Sequence, residues 1–116
     1  MITTMSLSGT EAEERACVLL KNAGYKIVAR NWRSRFGEID IVARDGSTVV
    51  FVEVKARAGE AFGGPGAAVD AGKQRRIAAT AGQFLQETGC ELPARFDVVT
   101  FSDGCPRLYR DAFRIG

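Results

Sequence analysis

The stretch Glu38-Ile39-Asp40-Ile41-Val42-Ala43-Arg44-Asp45-Gly46-Ser47-Thr48-Val49-Val50-Phe51-Val52-Glu53-Val54-Lys55-Ala56-Arg57 decides the architecture of this 116-residue chain. Its first half alternates, Ile39, Ile41 and Ala43 against Glu38, Asp40 and Val42, with the period of two that marks a strand. Asp45-Gly46-Ser47 is a turn signal, and residues 48–57 read as the returning arm of a hairpin. In that arm Val50, Val52, Val54 and Ala56 line one face, while Val49, Phe51, Glu53 and Lys55 line the other. Both faces are largely apolar, which predicts a central strand covered on each side. Glu53 and Lys55 then stand where charge is costly, and something must compensate them.

Two compensations are open. Glu53 and Lys55 lie two residues apart on one face and can neutralise each other, an arrangement that adds little to stability. Alternatively they end in a cleft where a metal or a phosphate completes the balance. Hairpin geometry bears on the choice. A two-residue turn at Gly46-Ser47 sets Asp40 directly opposite Glu53, whereas a turn at Asp45-Gly46 sets Asp40 opposite Phe51 with Glu53 one diagonal away. Either register puts Asp40 on the face that carries Glu53 and Lys55. Directly opposed Cβ atoms are roughly 4.5–5.5 Å apart, close enough for two carboxylates to share one cation. A three-residue turn would send Asp40 to the other face unless a bulge restored it.

Outward from the hairpin, residues 9–23 place Ala12, Ala16, Leu19, Leu20 and Ala23 at helical spacing before Gly24, which predicts a first helix. Residues 25–31 read as a short strand, followed by the cationic cluster Arg30, Arg33 and Arg35 around Trp32. The glycine-rich residues 58–66 carry no period and read as a mobile connection able to gate a site. A second helix is predicted over residues 70–88, with Ile77, Ala78, Ala81, Phe84 and Leu85 inward. Residues 95–101 and 107–109 are predicted as two last strands about the turn Ser102-Asp103-Gly104. Helix, three strands, helix and two strands imply an α/β protein, a mixed sheet with helices against it, in one domain of residues 1–116 whose residues 1–8 form a flexible start.

Two helical residues share the stripes that face the sheet. Glu13 lies with Ala16, Cys17 and Leu20, and its alternative is an acid favourable to the helix dipole. Gln74 lies with Ile77 and Ala78, flanked by Lys73, Arg75 and Arg76; a helix start rich in cations and amides can hold phosphate, or it is a solvated polar face.

Composition narrows the chemistry. The chain has no His, which excludes a Ser-His-Asp or Cys-His nucleophile and every zinc site that needs imidazole. Any catalysis is expected to rest on carboxylates and amines, with or without an oxygen-ligated metal. The net charge is only +2, yet 12 of the 16 cations are Arg, whose planar fork favours a phosphate-bearing partner. Cys17, Cys90 and Cys105 are odd in number and far apart, so reduced thiols are expected rather than a disulfide or metal pair. Neither a basic apolar leader nor an apolar run of about 18 residues is present, and a cytoplasmic protein without a membrane partner is expected.

Asp40, twelve residues, and then Glu53-Val54-Lys55 resembles the PD-(D/E)xK nuclease signature. More narrowly, Gly37-Glu38-Ile39-Asp40-Ile41-Val42, Phe51-Val52-Glu53-Val54-Lys55-Ala56-Arg57, Phe62-Gly63, Lys73-Gln74-Arg75-Arg76 and Arg95-Phe96-Asp97-Val98 resemble the YraN family of bacterial proteins, in order and over nearly the whole chain. That family is similar in pattern to archaeal Holliday-junction resolvases, whose first-helix Glu corresponds to Glu13. Ile39 stands where the wider superfamily often has Pro, and Ala12 where Gly is expected before Glu13.

The resemblance implies a restriction endonuclease-like fold with an αβββαβ core, and a metal-dependent endonuclease acting on DNA ahead of RNA, on branched or single-stranded forms. It implies Asp40 and Glu53 as ligands of Mg²⁺ or Mn²⁺, with Glu13 as a further ligand or a water-mediated contact. Lys55 would orient the attacking water, stabilise the phosphate or act as base. Gln74 would position water or phosphate. Arg30, Arg33, Arg35, Arg57, Lys73, Arg75 and Arg76 would track the nucleic-acid backbone, with Trp32 or Phe62 stacking on an unpaired base. A homodimer is compatible with the resemblance, although no segment fixes an interface. The alternatives are a nucleic-acid-binding protein that keeps the nuclease fold without turnover, and a protein-interaction adaptor.

Overall fold

The computed structural model describes residues 9–56 and 69–114. The expected flexible start, the connection at 58–66 with Phe62, and Arg57 lie outside the described residues.

Seven elements follow one another: α1 (Gly9–Asn22), β1 (Lys26–Ser34), β2 (Gly37–Asp45), β3 (Thr48–Lys55), α2 (Ala71–Thr88), β4 (Ala94–Ser102) and β5 (Cys105–Phe113). The strands form one five-stranded sheet in the order β1-β2-β3-β4-β5. Only β3 and β4 run parallel; the other neighbours are antiparallel. A parallel pair needs a long crossover, and α2 lies within it. The expected mixed α/β sheet with an αβββαβ core is therefore present, extended by β5.

The helices take opposite faces. Ala12, Ala16, Cys17 and Leu20 of α1 pack with Ile41, Ala43, Val50, Val52, Val99 and Phe101. Ile77, Ala81 and Phe84 of α2 pack with Ile39, Val42, Val49, Phe51, Val98 and Phe113. Residues 49–53 of β3 are buried, as the two-sided apolar pattern requires. Asp70 caps α2 by accepting from the Lys73 amide at 2.8 Å, and Gly89 at φ 66° closes it in the left-handed conformation that glycine tolerates.

Two expectations are corrected. The first strand does not end at Asn31: β1 runs to Ser34 and pairs with β2 as far as Ser34↔Gly37. Its alternation is disguised by Asn31, whose φ of +52° turns the chain within the strand. Trp32, half-buried, packs against the α2 side of the core with its ring edge-on to Phe84 at 5.3 Å. β5 is also longer than residues 107–109; Asp111 at φ +54° and a register shift between Phe96 and Val98 mask its period.

Candidate active site

The β2–β3 register is the one that a Gly46-Ser47 turn dictates, with Asp45↔Thr48 through Ile41↔Val52. The backbone pairing stops at Ile41↔Val52, and the next step along this register brings Asp40 opposite Glu53. There the Asp40 side chain takes over from the backbone: its Oδ2 accepts the Val54 amide at 2.8 Å. Ile39 and Ile41, two residues apart, pack on opposite faces of the sheet, so the strict alternation expected of β2 breaks at Asp40. Between the pairs Arg30↔Ile41 and Trp32↔Ile39, the positions left to face each other are Asn31 and Asp40. The left-handed Asn31 and the break in the β2 alternation thus fall at the same level of the sheet.

Glu53 is 5% exposed, and its Oε2 lies 2.6 Å from the Lys73 ammonium. The compensating cation comes from α2; Lys55 forms no ion pair with any described residue. Lys73 was expected among the phosphate-tracking cations, but it reaches the acidic pair itself. The signal was available in sequence: Lys73, Ile77, Thr80, Ala81 and Phe84 follow the i, i+4, i+7, i+8 and i+11 spacing of one helical stripe, so Lys73 continues the buried face.

Electrostatics mark the pair as strained. Asp40 is pushed up to about 7, first by burial and then by the charge of Glu53, with a smaller push from Glu13; the Val54 amide and Lys73 pull the other way. The Lys73 ammonium loses hydration by burial, but its hydrogen bond to Glu53 and the charges of Glu53 and Asp40 outweigh this, so its proton is held more tightly than usual. Two acids thus share one ammonium, leaving an excess of negative charge in a poorly hydrated place.

The other expected residues are placed as follows. Glu13 on α1 accepts from Asn31 Nδ2 at 2.9 Å and lies 3.8 Å from Arg30. Its charge reaches Asp40, but among the described residues no group of three or more Cys, Asp or Glu side chains is gathered to hold a metal. Gln74 Nε2 donates to the Val69 carbonyl at 2.8 Å, fixing the entry to α2. Arg30 is held by Glu13 and Glu14, and Arg33 lies 3.4 Å from Glu38. Arg35, Arg75 and Arg76 are exposed. The β1–β2 turn rests on α2, for a Cβ on Gly37 would lie 3.4 Å from Thr80 Oγ1 and 3.9 Å from Arg76 Cβ. Cations of the hairpin tip and of the first turns of α2 therefore border the sheet end that carries Asp40 and Glu53.

The donor set suits a hard divalent cation. Both acids offer oxygen, and a cation there would relieve the burial and the neighbouring Glu53 charge that together raise Asp40.

Comparison with known proteins places the chain. UPF0102 protein STH1475 of Symbiobacterium thermophilum is 50% identical over 112 residues, covering 90% of this chain and 94% of its own. A UPF0102 protein of Syntrophus aciditrophicus is 46% identical over 113 residues, covering 93% and 89%. Among solved structures, an EndoMS–dsDNA2 complex aligns with a TM-score of 0.46 and 20% identity over 83% of this chain and 37% of that one. The family model for uncharacterised protein family UPF0102 matches residues 12–101, and the chain belongs to that family, the YraN family.

Proposed function

We propose that the protein is a Mg²⁺- or Mn²⁺-dependent phosphodiesterase of the restriction endonuclease-like class that cleaves DNA in the cytoplasm. One observation carries this reading: a buried carboxylate, Glu53, and a half-buried one, Asp40, meet on adjacent strands where their ladder ends, and the one ammonium beside them, Lys73, is paired with Glu53. Such an arrangement costs folding energy unless a ligand uses it. Asp40 and Glu53 would hold the metal, and Glu13, already tied to Asn31 and Arg30, would reach it only through water. When bound, the cation supplies Lewis acidity that activates water and offsets charge on the scissile phosphate.

The chain's own residues do the rest. The Val54 amide fixes one oxygen of Asp40, leaving the other for ligation. Lys55, half-buried two residues beyond Glu53, orients the attacking water or steadies the charge that develops on phosphate. Gln74 holds the start of α2 beside the pair and positions water or phosphate. Arg35, Arg75 and Arg76, which are exposed, take backbone phosphates together with Arg33; Arg57, outside the described residues, is assigned the same role from the sequence alone.

The test is incubation of purified protein with Mg²⁺ or Mn²⁺ and a panel of branched, flapped, single-stranded and linear DNAs. Cleavage lost in Asp40→Ala and Glu53→Ala supports the reading; cleavage unchanged in both overturns it. A second reading, DNA binding without turnover, is favoured by the 2.6 Å Lys73–Glu53 contact, which occupies an oxygen that a metal needs. Salt-dependent DNA binding with no cleavage under any metal selects it.

A further inference from the structure

We propose that Lys73 is a displaceable counter-ion that couples metal binding to phosphate binding: it neutralises Glu53 while the site is metal-free and is released to a backbone phosphate when a divalent cation takes its place. This rests on the reading of Asp40 and Glu53 as metal ligands.

The argument begins with what Lys73 satisfies. Glu53 is 5% exposed and its ion pair with Lys73 is short, so removing the cation without replacement would leave a buried carboxylate unpaired. The ammonium itself is not enclosed. The Lys73 side chain is 39% exposed, so the stem spans from the buried acid to solvent and the head can reach either. Its backbone is anchored apart from its head: the Lys73 amide is bound by the Asp70 cap at 2.8 Å. A swing of the side chain therefore leaves α2 in place. Arg75 and Arg76 stand on the same turn and are exposed, so the position outside Glu53 is already cationic and favourable to phosphate.

A metal ion and an ammonium compete for the same Glu53 oxygen, so each weakens the other. Phosphate reverses the sign, because DNA draws the ammonium outward and leaves Glu53 to the metal. The two ligands then bind cooperatively, and by linkage each must raise the affinity of the other by one factor. Lys55, which is not paired with a described acid, remains for the chemistry in both states.

Isothermal titration of the full-length protein with Mn²⁺ tests this in wild type, Lys73→Gln and Lys73→Arg, with Asp40→Asn as the site control. In the absence of DNA, Lys73→Gln is expected to bind Mn²⁺ about tenfold more tightly than wild type, and Lys73→Arg no more tightly. Equal or weaker binding by Lys73→Gln overturns the inference while leaving the metal site standing. Binding by none of the proteins, or undiminished binding by Asp40→Asn, overturns the metal site and this inference with it. Should Lys73→Gln fail to show a cooperative melt, the wild type decides alone. Acylation of the Lys73 amine, followed by mass spectrometry, should quicken several-fold on addition of saturating Mn²⁺; an unchanged or slower rate contradicts release of the ammonium.

Discussion

The protein buries acidic groups in two places, and the two are built differently. At one, Asp97 is 0% exposed and accepts from Tyr25 Oη at 2.6 Å, from Arg95 Nε and NH2 at 2.9 and 3.1 Å, and from the Asp111 amide at 2.9 Å. Arg95 also reaches Asp45 at 3.0 Å and the Tyr25 hydroxyl at 2.7 Å. Donors surround both carboxylate oxygens, and the cluster is closed. At the other, Asp40 accepts the Val54 amide and Glu53 meets Lys73, so two acids share one ammonium. Both clusters set two acids against one cation, but only in the first do side-chain and backbone donors reach both oxygens of the buried carboxylate. The first cluster fixes β4, β5 and the start of β1 together; the second, under the proposed function, is the one that a divalent cation would complete.

The comparison breaks most visibly at Asp97. Asp97→Ala strips Arg95 of its main partner and should cost about 3–5 kcal/mol, read as a fall in the urea midpoint. A loss under 1 kcal/mol would make the closed cluster irrelevant to folding. Asp40→Asn should act in the opposite direction. Asp40 has its folded-state value raised to about 7 from 3.8. Its contribution is therefore most favourable below pH 3.8 and is lost as pH rises through 7. The Asn variant keeps an acceptor for Val54 without the charge, so it should match wild type near pH 3.5 and exceed it by roughly 2–4 kcal/mol at pH 8 without metal. Thermal melts across pH check this, and a wild type more stable than the variant at pH 8 would show that the charge is already compensated.

Tyr25→Phe sharpens the contrast on a smaller scale. It removes one donor to Asp97 and one acceptor for Arg95, and about 1–2 kcal/mol should be lost. Burial, then the hydrogen bond to Asp97, hold the Tyr25 phenol up at about 12. Its stabilising share is complete below pH 10 and disappears as pH rises through 12, so the gap between wild type and Phe should narrow over that interval in equilibrium unfolding. Gly37→Ala is the smallest expected effect. At φ +150° an added Cβ is strained and meets Thr80 Oγ1 at 3.4 Å, which should cost about 1 kcal/mol and loosen the hairpin tip against α2.

How much of this was legible in the sequence follows from local pattern against long-range pairing. The β2–β3 hairpin and its two-sided core strand could be read from alternation and the turn signal, and both two-residue turns that the sequence allows put Asp40 near Glu53; the choice of the Gly46-Ser47 register is seen only in the structure. The extent of β1 could not be read, because Asn31 in a left-handed conformation interrupts the alternation on which the strand reading rests. The closed cluster was invisible: Tyr25 and Asp97 are 72 residues apart, and no periodicity links them. Lys73 lay between these cases, on a stripe that the sequence contains but among cations that read as surface charge.

The most direct measurement is anomalous diffraction from crystals of the wild-type protein soaked in Mn²⁺. A peak between the carboxylates of Asp40 and Glu53, absent from Asp40→Asn crystals soaked in the same way, is the predicted result. A gap without anomalous density at saturating Mn²⁺, with the Lys73 ammonium still on Glu53, would contradict the account of this site as a metal centre.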